Sequence, residues 1–220
     1  MTVVPFRTDE DVTAALTRVV AHLSAGGLIA YPTETVYGLG SRARGPEVQA
    51  VARLKGRRPG KPFLLLVADR DMAEAQGLAL NESASALARA FWPGPLTLVL
   101  PGGSGRLPDV LRGPEGGIAV RWTPHRGLSR LVQAYGAPIT STSANRPGVV
   151  PATNAGQILE QWADAISRGT LHVLDGGQLL SSPPSTVVDC TGPRPRVIRP
   201  GAITVATLRA SVPDIVGDSE

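Results

Sequence analysis

The sequence predicts an α/β fold: a twisted sheet of mixed strand direction, flanked by helices, with polar loops gathered around a cleft. Three observations carry that expectation. Short apolar runs rich in Leu, Ile and Val recur between segments of helical periodicity. The alternation of the two is not strict, which argues against a purely parallel sheet. The segments just past several apolar runs are dense in hydroxyls, glycines and cations, and in open α/β sheets that edge is where ligands bind.

In chain order, residues 8–25 form an amphipathic helix: Thr8 can cap it, Asp9, Glu10 and Asp11 suit its dipole, and Val12, Leu16, Val19, Val20 and Leu23 share a face. Gly26-Gly27 stops it, and Leu28 to Tyr31 is a short strand ended by Pro32. Residues 32–41 then place hydroxyls and a phenol on a loop, within which Gly38-Leu39-Gly40 is a turn. Pro46 opens a second helix with Val48, Val51, Ala52 and Leu54 inward. It delivers the chain to Lys55-Gly56-Arg57-Arg58-Pro59-Gly60-Lys61-Pro62, four cations with no acid between them on a loop that two glycines and two prolines keep irregular. A core strand at 63–68 follows, then helices at 70–76 and, capped by Asn81, at 82–91. Trp92-Pro93-Gly94-Pro95 aims the strand 96–100, and the Gly- and Pro-rich 101–117 is a surface loop.

The next strand, 117–122, carries Arg121 near its end. Thr123 caps a helix that opens with Pro124 and holds Leu128, Leu131, Val132 and Tyr135. Strand 138–140 runs into a second polar loop, Ser141-Thr142-Ser143-Ala144-Asn145. A helix at about 154–168, strands near 171–174, 185–189 and 196–199, and a last helix from Thr204 complete the order.

Composition bounds the function. With 220 residues and 42% hydrophobic content the chain can bury a sizeable core, and at 4% aromatic content Leu, Val, Ile and Ala must fill it. A net charge of +4 favours anionic partners such as nucleotides or RNA. The single cysteine, Cys190, cannot form an internal disulfide, which fits a reducing cytosol. With no leader pattern and no apolar run near the roughly 20 residues of a membrane span, the expectation is a cytoplasmic protein without membrane contact.

Several chemistries are disfavoured. Gly56 to Lys61 is one residue short of a Walker A loop, and Pro62 stands where the magnesium-binding hydroxyl would be. Gly38-Leu39-Gly40 lacks the third glycine of a dinucleotide fingerprint, and the serines near 141 lack a nucleophile elbow. His22, His125 and His172 lie far apart without metal-ligand spacing, so no protein metal site is expected. A basic loop, two hydroxyl-rich loops and scattered arginines suit binding of a phosphorylated polar substrate, and phosphoryl or nucleotidyl transfer can run on positioning and charge neutralisation. Taken alone, Arg121 suits a surface ion pair and Ser143 and Asn145 suit a turn. Thr97 is expected to pack within its strand, and Trp92, Trp122 and Trp162 to anchor core or lid.

Six ordered segments together resemble a known family: Tyr31 to Gly40, Lys55-x-Arg57 with Lys61-Pro62, Phe91 to Thr97, Ala119-Val120-Arg121, Ser143-x-Asn145, and Pro184 to Asp189 with Arg199-Pro200-Gly201. The set resembles the YrdC/TsaC family of threonylcarbamoyl-AMP synthases over about residues 10–205. The resemblance implies a YrdC-like fold with a deep basic cavity, in a catalytic domain at 1–205 followed by a C-terminal tail at 206–220. It implies the reaction of L-threonine, bicarbonate or CO2, and ATP to threonylcarbamoyl-adenylate and pyrophosphate, supplying t6A modification of tRNA. Longer members carry an extra C-terminal domain whose linker closes over the cavity, and 220 residues are expected to be the short form without it.

By the same resemblance, Lys55 and Arg57 are the catalytic cations. With Lys61 they would neutralise ATP, whose site would also include Gly117, Ser141, Ser143, Asn145 and Arg199. L-Threonine would be held by Thr33, Thr35, Tyr37, Arg121 as carboxylate clamp, and Ser185. Magnesium is expected to arrive with ATP. A downstream t6A-transfer enzyme is the expected partner, with possible tRNA contact. Arg58 intrudes where the family pattern runs straight into proline, and Leu66 stands where some relatives have histidine. A non-catalytic RNA-binding module is the rival reading, weakened by the lack of aromatics among the cations. The carbamoyltransferase role of this fold in hydrogenase maturation goes with acylphosphatase and zinc-finger segments that this sequence lacks.

Overall fold

The computed structural model describes residues 2–57, 62–180 and 182–217. Its strands are β1 (Val3–Pro5), β2 (Leu28–Tyr31), β3 (Gly38–Gly40), β4 (Leu64–Leu66), β5 (Leu96–Leu100), β6 (Ile118–Arg121), β7 (Ile139–Ser143), β8 (Leu171–Asp175), β9 (Thr186–Asp189) and β10 (Arg196–Arg199). They join in one sheet of order β1-β8-β2-β3-β7-β4-β6-β5-β9-β10. Parallel pairs (β1 with β8, β2 with β8, β4 with β6, β5 with β9) mix with antiparallel ones (β2 with β3, β3 with β7, β4 with β7, β5 with β6, β9 with β10). The mixed-direction α/β expectation therefore holds.

The helices are α1 (Asp9–Ser24), α2 (Gly45–Lys55), α3 (Arg70–Ala75), α4 (Glu82–Phe91), α5 (Arg126–Tyr135), α6 (Ala155–Ser167) and α7 (Val205–Arg209). Their ends follow local chemistry. Thr8 and Asp11 form a reciprocal capping box on α1, and Asn81, Asn154 and Thr204 cap α4, α6 and α7 through their side chains. Gly56 ends α2 at φ 68°, a left-handed conformation that a residue with a Cβ adopts only with strain, and so turns the chain out of the helix at Lys55.

Four sequence expectations need correction. Residues 38–40 are a strand, not a turn, and the second polar loop is largely strand, because β7 continues through Ser143 to pair Gly38 with Ser143. β1 was not foreseen, its three residues being too few for a periodic signal. His125, not Thr123, caps α5: its Nδ1 accepts from the Leu128 amide at 3.2 Å, while the Thr123 hydroxyl donates to Glu34.

Because successive strand residues face opposite sides of a sheet, each central strand divides its labour. Leu65, Leu98, Val120 and Val188 enter the larger core, where α4 and α6 contribute Leu87, Ile158 and Trp162. Their neighbours Leu64, Leu66, Thr97, Arg121 and Val187 face an open cavity on the other side. A smaller core under α1 and α5 gathers Val19, Leu23, Leu128, Leu131 and Ile29. Leu208, Val212 and Ile215, from the segment expected as a tail, are buried in the larger core. Cys190 is also buried there, and burial, followed by the charge of Asp189, pushes its thiol up to about 12.

Candidate active site

The cavity has a volume of about 590 Å³, within the usual span of small-molecule sites. Strands β3, β4, β5, β6, β7, β9 and β10 and the 33–37 segment contribute to its lining. Of the residues the sequence singles out, Thr33, Thr35, Tyr37, Arg57 and Gly117 line it. So do Arg121, Ser141, Ser143, Ser185 and Arg199. Lys55 and Asn145 stand behind Ser143 rather than in the lining, and Lys61 lies outside the described residues, as does Arg58. Among the described residues, the charged lining is three arginines, Arg57, Arg121 and Arg199, with two glutamates, Glu34 and Glu115.

One wall is built on the end of α2. Lys55 is buried, and its ammonium donates to the carbonyl of Ser143 at 2.5 Å and to the carbonyl and Oδ1 of Asn145 at 2.9 Å each. The Ser143 hydroxyl in turn donates to Asn145 Oδ1 at 2.6 Å. Four oxygens thus converge on one ammonium, the Ser143 Oγ being the fourth at 3.3 Å, and the end of β7 is locked to the end of α2. Two residues on, Arg57 turns into the cavity. It donates to Thr142 Oγ1 at 2.8 Å and to the Pro62 carbonyl at 2.6 Å, with its guanidinium 4.7 Å from the centroid of Phe63. Burial pulls its pKa below the usual value.

The opposite wall centres on Arg121. This buried side chain donates through Nε to the Gly94 carbonyl at 3.0 Å and pairs through its other end with Glu34. Burial first, and then the positive charge of Arg199, pull its guanidinium down to about 10, which leaves it charged at neutral pH. The second oxygen of Glu34 accepts the Thr123 hydroxyl at 2.7 Å. Arg199, on the edge strand β10, donates to the carbonyl of Ser185 at 2.7 Å and to its hydroxyl at 2.9 Å. The same hydroxyl lies 2.9 Å from Thr97 Oγ1, so Arg199, Ser185 and Thr97 form a chain across β10, the start of β9 and β5.

Between the walls, Thr33 Oγ1 accepts the amides of Thr35 and Val36, at 3.1 and 3.2 Å, which folds the 33–36 segment into a tight turn that brings both threonines inward. Tyr37 places its hydroxyl between the Gly176 amide and the Gly177 carbonyl, at 3.0 and 2.9 Å. Burial pushes this phenol up to about 12, so it works as a neutral hydrogen-bonding strut.

A family model named Sua5_yciO_yrdC and described as "Telomere recombination" matches residues 21–201. The chain belongs to the Sua5/YciO/YrdC family. It is 35% identical over 191 residues to a threonylcarbamoyl-AMP synthase of Pyrococcus abyssi, covering 86% of this chain and 55% of that one. It is 40% identical to the threonylcarbamoyl-AMP synthase of Thiobacillus denitrificans, covering 77% of this chain and 87% of that one. The solved structure of P. abyssi Sua5 complexed with L-threonine superposes at TM-score 0.84 and 30% identity, over all of this chain and 66% of that chain. The chain thus spans about half the length of the Pyrococcus relative and most of the Thiobacillus one.

Among the described residues, six polar lining residues escape a reading of the sequence: Glu34, Thr97, Glu115, Thr123, Thr142 and Ser182. Glu34 carries a signal, since it sits between two threonines already expected in the site. Thr97 does pack within β5, yet its hydroxyl also faces the cavity, a placement that strand alternation with Val99 could have revealed. The partnerships of Thr123 and Thr142 depend on distant segments and leave no local mark.

Proposed function

We propose that this protein condenses L-threonine, bicarbonate or CO2, and ATP to threonylcarbamoyl-adenylate and pyrophosphate, the activated precursor for t6A in tRNA. One observation carries the reading: a single cavity gathers Arg57, Arg121 and Arg199 with the hydroxyls of Thr33, Thr35, Ser141, Ser143 and Ser185, from widely separated chain segments. Such a set can hold a polyphosphate and an amino acid side by side. Family membership and the threonylcarbamoyl-AMP synthase names of the relatives support the same activity.

Arg57 faces the triphosphate, with Ser141 and Ser143 donating to the nucleotide. Lys55 acts one step back, fixing Ser143 and Asn145. Arg121 clamps the threonine carboxylate as a planar cationic fork, and Ser185, held by Arg199, lies on the same side. The carbamate formed from the threonine amine and CO2 attacks the α-phosphorus through oxygen, and the Pα–O bond to pyrophosphate breaks. The fixed cations stabilise the charge that builds there in a cavity partly shielded from water. No enzyme nucleophile is required.

Magnesium arrives with the triphosphate and screens its charge. Among the described residues no group of three or more His, Cys, Asp or Glu is placed to hold a metal ion. Among the described residues no helix is long and apolar enough to cross a membrane. A cytoplasmic location, a downstream enzyme that transfers the threonylcarbamoyl group, and tRNA contact follow from the same proposal.

The test is pyrophosphate release from ATP in the presence of bicarbonate. Threonine-dependent release is the expected result. ATP turnover indifferent to threonine, or salt-sensitive RNA binding without turnover, would overturn the proposal.

A further inference from the structure

We infer that Glu34 is the proton acceptor for the substrate amine, and that it is armed by the substrate's own carboxylate. The inference rests on the reaction proposed above. That reaction needs a neutral amine, whereas an α-amino acid carries an ammonium at neutral pH, so a base must take one proton before C–N bond formation can begin. Among the described residues two carboxylates line the cavity, Glu34 and Glu115, and Glu34 is the one in contact with Arg121.

The geometry ties the base to the clamp. Arg121 is 6% exposed and Glu34 23% exposed at their side chains, so the pair is largely shielded from water. A substrate carboxylate seated on Arg121 competes directly with Glu34 for the same guanidinium. The displaced carboxylate keeps the Thr123 hydroxyl on its other oxygen and therefore stays near the site. The backbone around it is also held, by the Ser182 hydroxyl donating to the Glu34 carbonyl at 3.0 Å. An α-ammonium lies two bonds from the α-carboxylate carbon, so a carboxylate seated on Arg121 carries it close to a Glu34 that Thr123 still holds.

Removing the opposite charge makes a carboxylate more basic, and burial adds to this. Among the described residues, the other charged groups around the cavity are Arg57, Arg199 and Glu115. Arg199 is engaged with Ser185, and Arg57 with Thr142 and Pro62, so the partner that Glu34 loses is Arg121. The step balances as follows. The ammonium N–H bond breaks and its proton passes to a Glu34 oxygen. The freed nitrogen lone pair forms the C–N bond to CO2, and a second nitrogen proton leaves to water, giving the carbamate. Without substrate, Glu34 is tied to Arg121.

The test compares wild type with Glu34→Gln in two measurements: threonine binding by calorimetry, and threonine-dependent pyrophosphate release from mildly acidic to alkaline pH. The expected result is a loss in kcat on the order of 100-fold at neutral pH, with threonine binding unchanged or tighter because the competing carboxylate is gone. Activity of the variant should climb by about tenfold per pH unit, as solvent replaces the missing base. A variant within about threefold of wild-type kcat, or one whose only defect is weak threonine binding, would overturn the inference. Thr123→Val gives a second reading should Glu34→Gln not fold. It should lower kcat several-fold with threonine affinity kept, and an unchanged kcat would count against the inference. Should wild type itself show no threonine-dependent release, the proposed function falls; should wild type turn over and the variant match it, this inference alone falls.

Discussion

The two walls of the cavity handle positive charge in opposite ways. Lys55 directs its ammonium at the neutral oxygens of Ser143 and Asn145 and serves as a clasp, with Arg57 beside it turned to the cavity. Arg121 is met by the full negative charge of Glu34. Under the proposed function, the first wall would meet a polyphosphate and the second a single carboxylate, whose place an internal carboxylate can hold until the ligand replaces it. Cations in one basic segment are not equivalent: two residues apart, Lys55 ties β7 to α2 and Arg57 lines the cavity.

Substitutions can break that contrast. The largest effect is expected from Arg57→Ala, which should lower kcat/KM for ATP by on the order of 10²- to 10³-fold while the thermal midpoint stays near wild type, measured by pyrophosphate release and calorimetric melting. Lys55→Met should lose activity and stability together. It leaves the Asn145 and Ser143 oxygens without their shared donor, a change expected to cost about 2–3 kcal/mol in urea unfolding. Were Lys55→Met as stable as wild type and Arg57→Ala not, the roles assigned to the two would be exchanged. On the opposite wall, Thr97→Val removes one link of the Arg199–Ser185–Thr97 chain and should raise the threonine KM by a few-fold, about 1 kcal/mol, without changing the ATP KM.

The smallest effect lies away from both walls. His22 and His172 stack with ring centroids 3.6 Å apart. Burial, then the neighbouring charges of His22 and Arg18, pull His172 down to about 4 from the ordinary 6.5 of a histidine. Between these values the unfolded chain binds a proton that the folded chain refuses, so stability should fall as pH drops through this window and level off below it. His172→Gln should flatten that limb of the melting temperature against pH while leaving the neutral-pH activity unchanged.

How much of this is legible in the sequence depends on how local the cause is. Most helix ends are, because Thr8, Asn81, Thr204 and Gly56 act within a few residues of themselves, whereas at α5 the Thr123 hydroxyl is drawn to the distant Glu34 and His125 caps instead. β3 is not. Gly38-Leu39-Gly40 has little strand propensity of its own, and its conformation is imposed by β2 and β7 on either side. Glycine is what permits the approach, since a Cβ at Gly40 would run into the Thr140 carbonyl. In the site, Arg121 is suggested by its place at a strand end, but its pairing with Glu34 joins residues far apart in the chain and appears only in three dimensions. The same holds for Lys55: its charge marks a site, while its role as a clasp depends on where β7 ends.

Cys190 offers a practical opening. As the single thiol in the chain, sealed in the core and almost wholly protonated at neutral pH, it should ignore alkylating reagents in the native state. A Val150→Cys substitution, at a residue 80% exposed one position before the cavity-lining Pro151, would then be the sole reactive handle on the molecule. A fluorophore there could report the arrival of nucleotide and amino acid separately, in real time and without turnover.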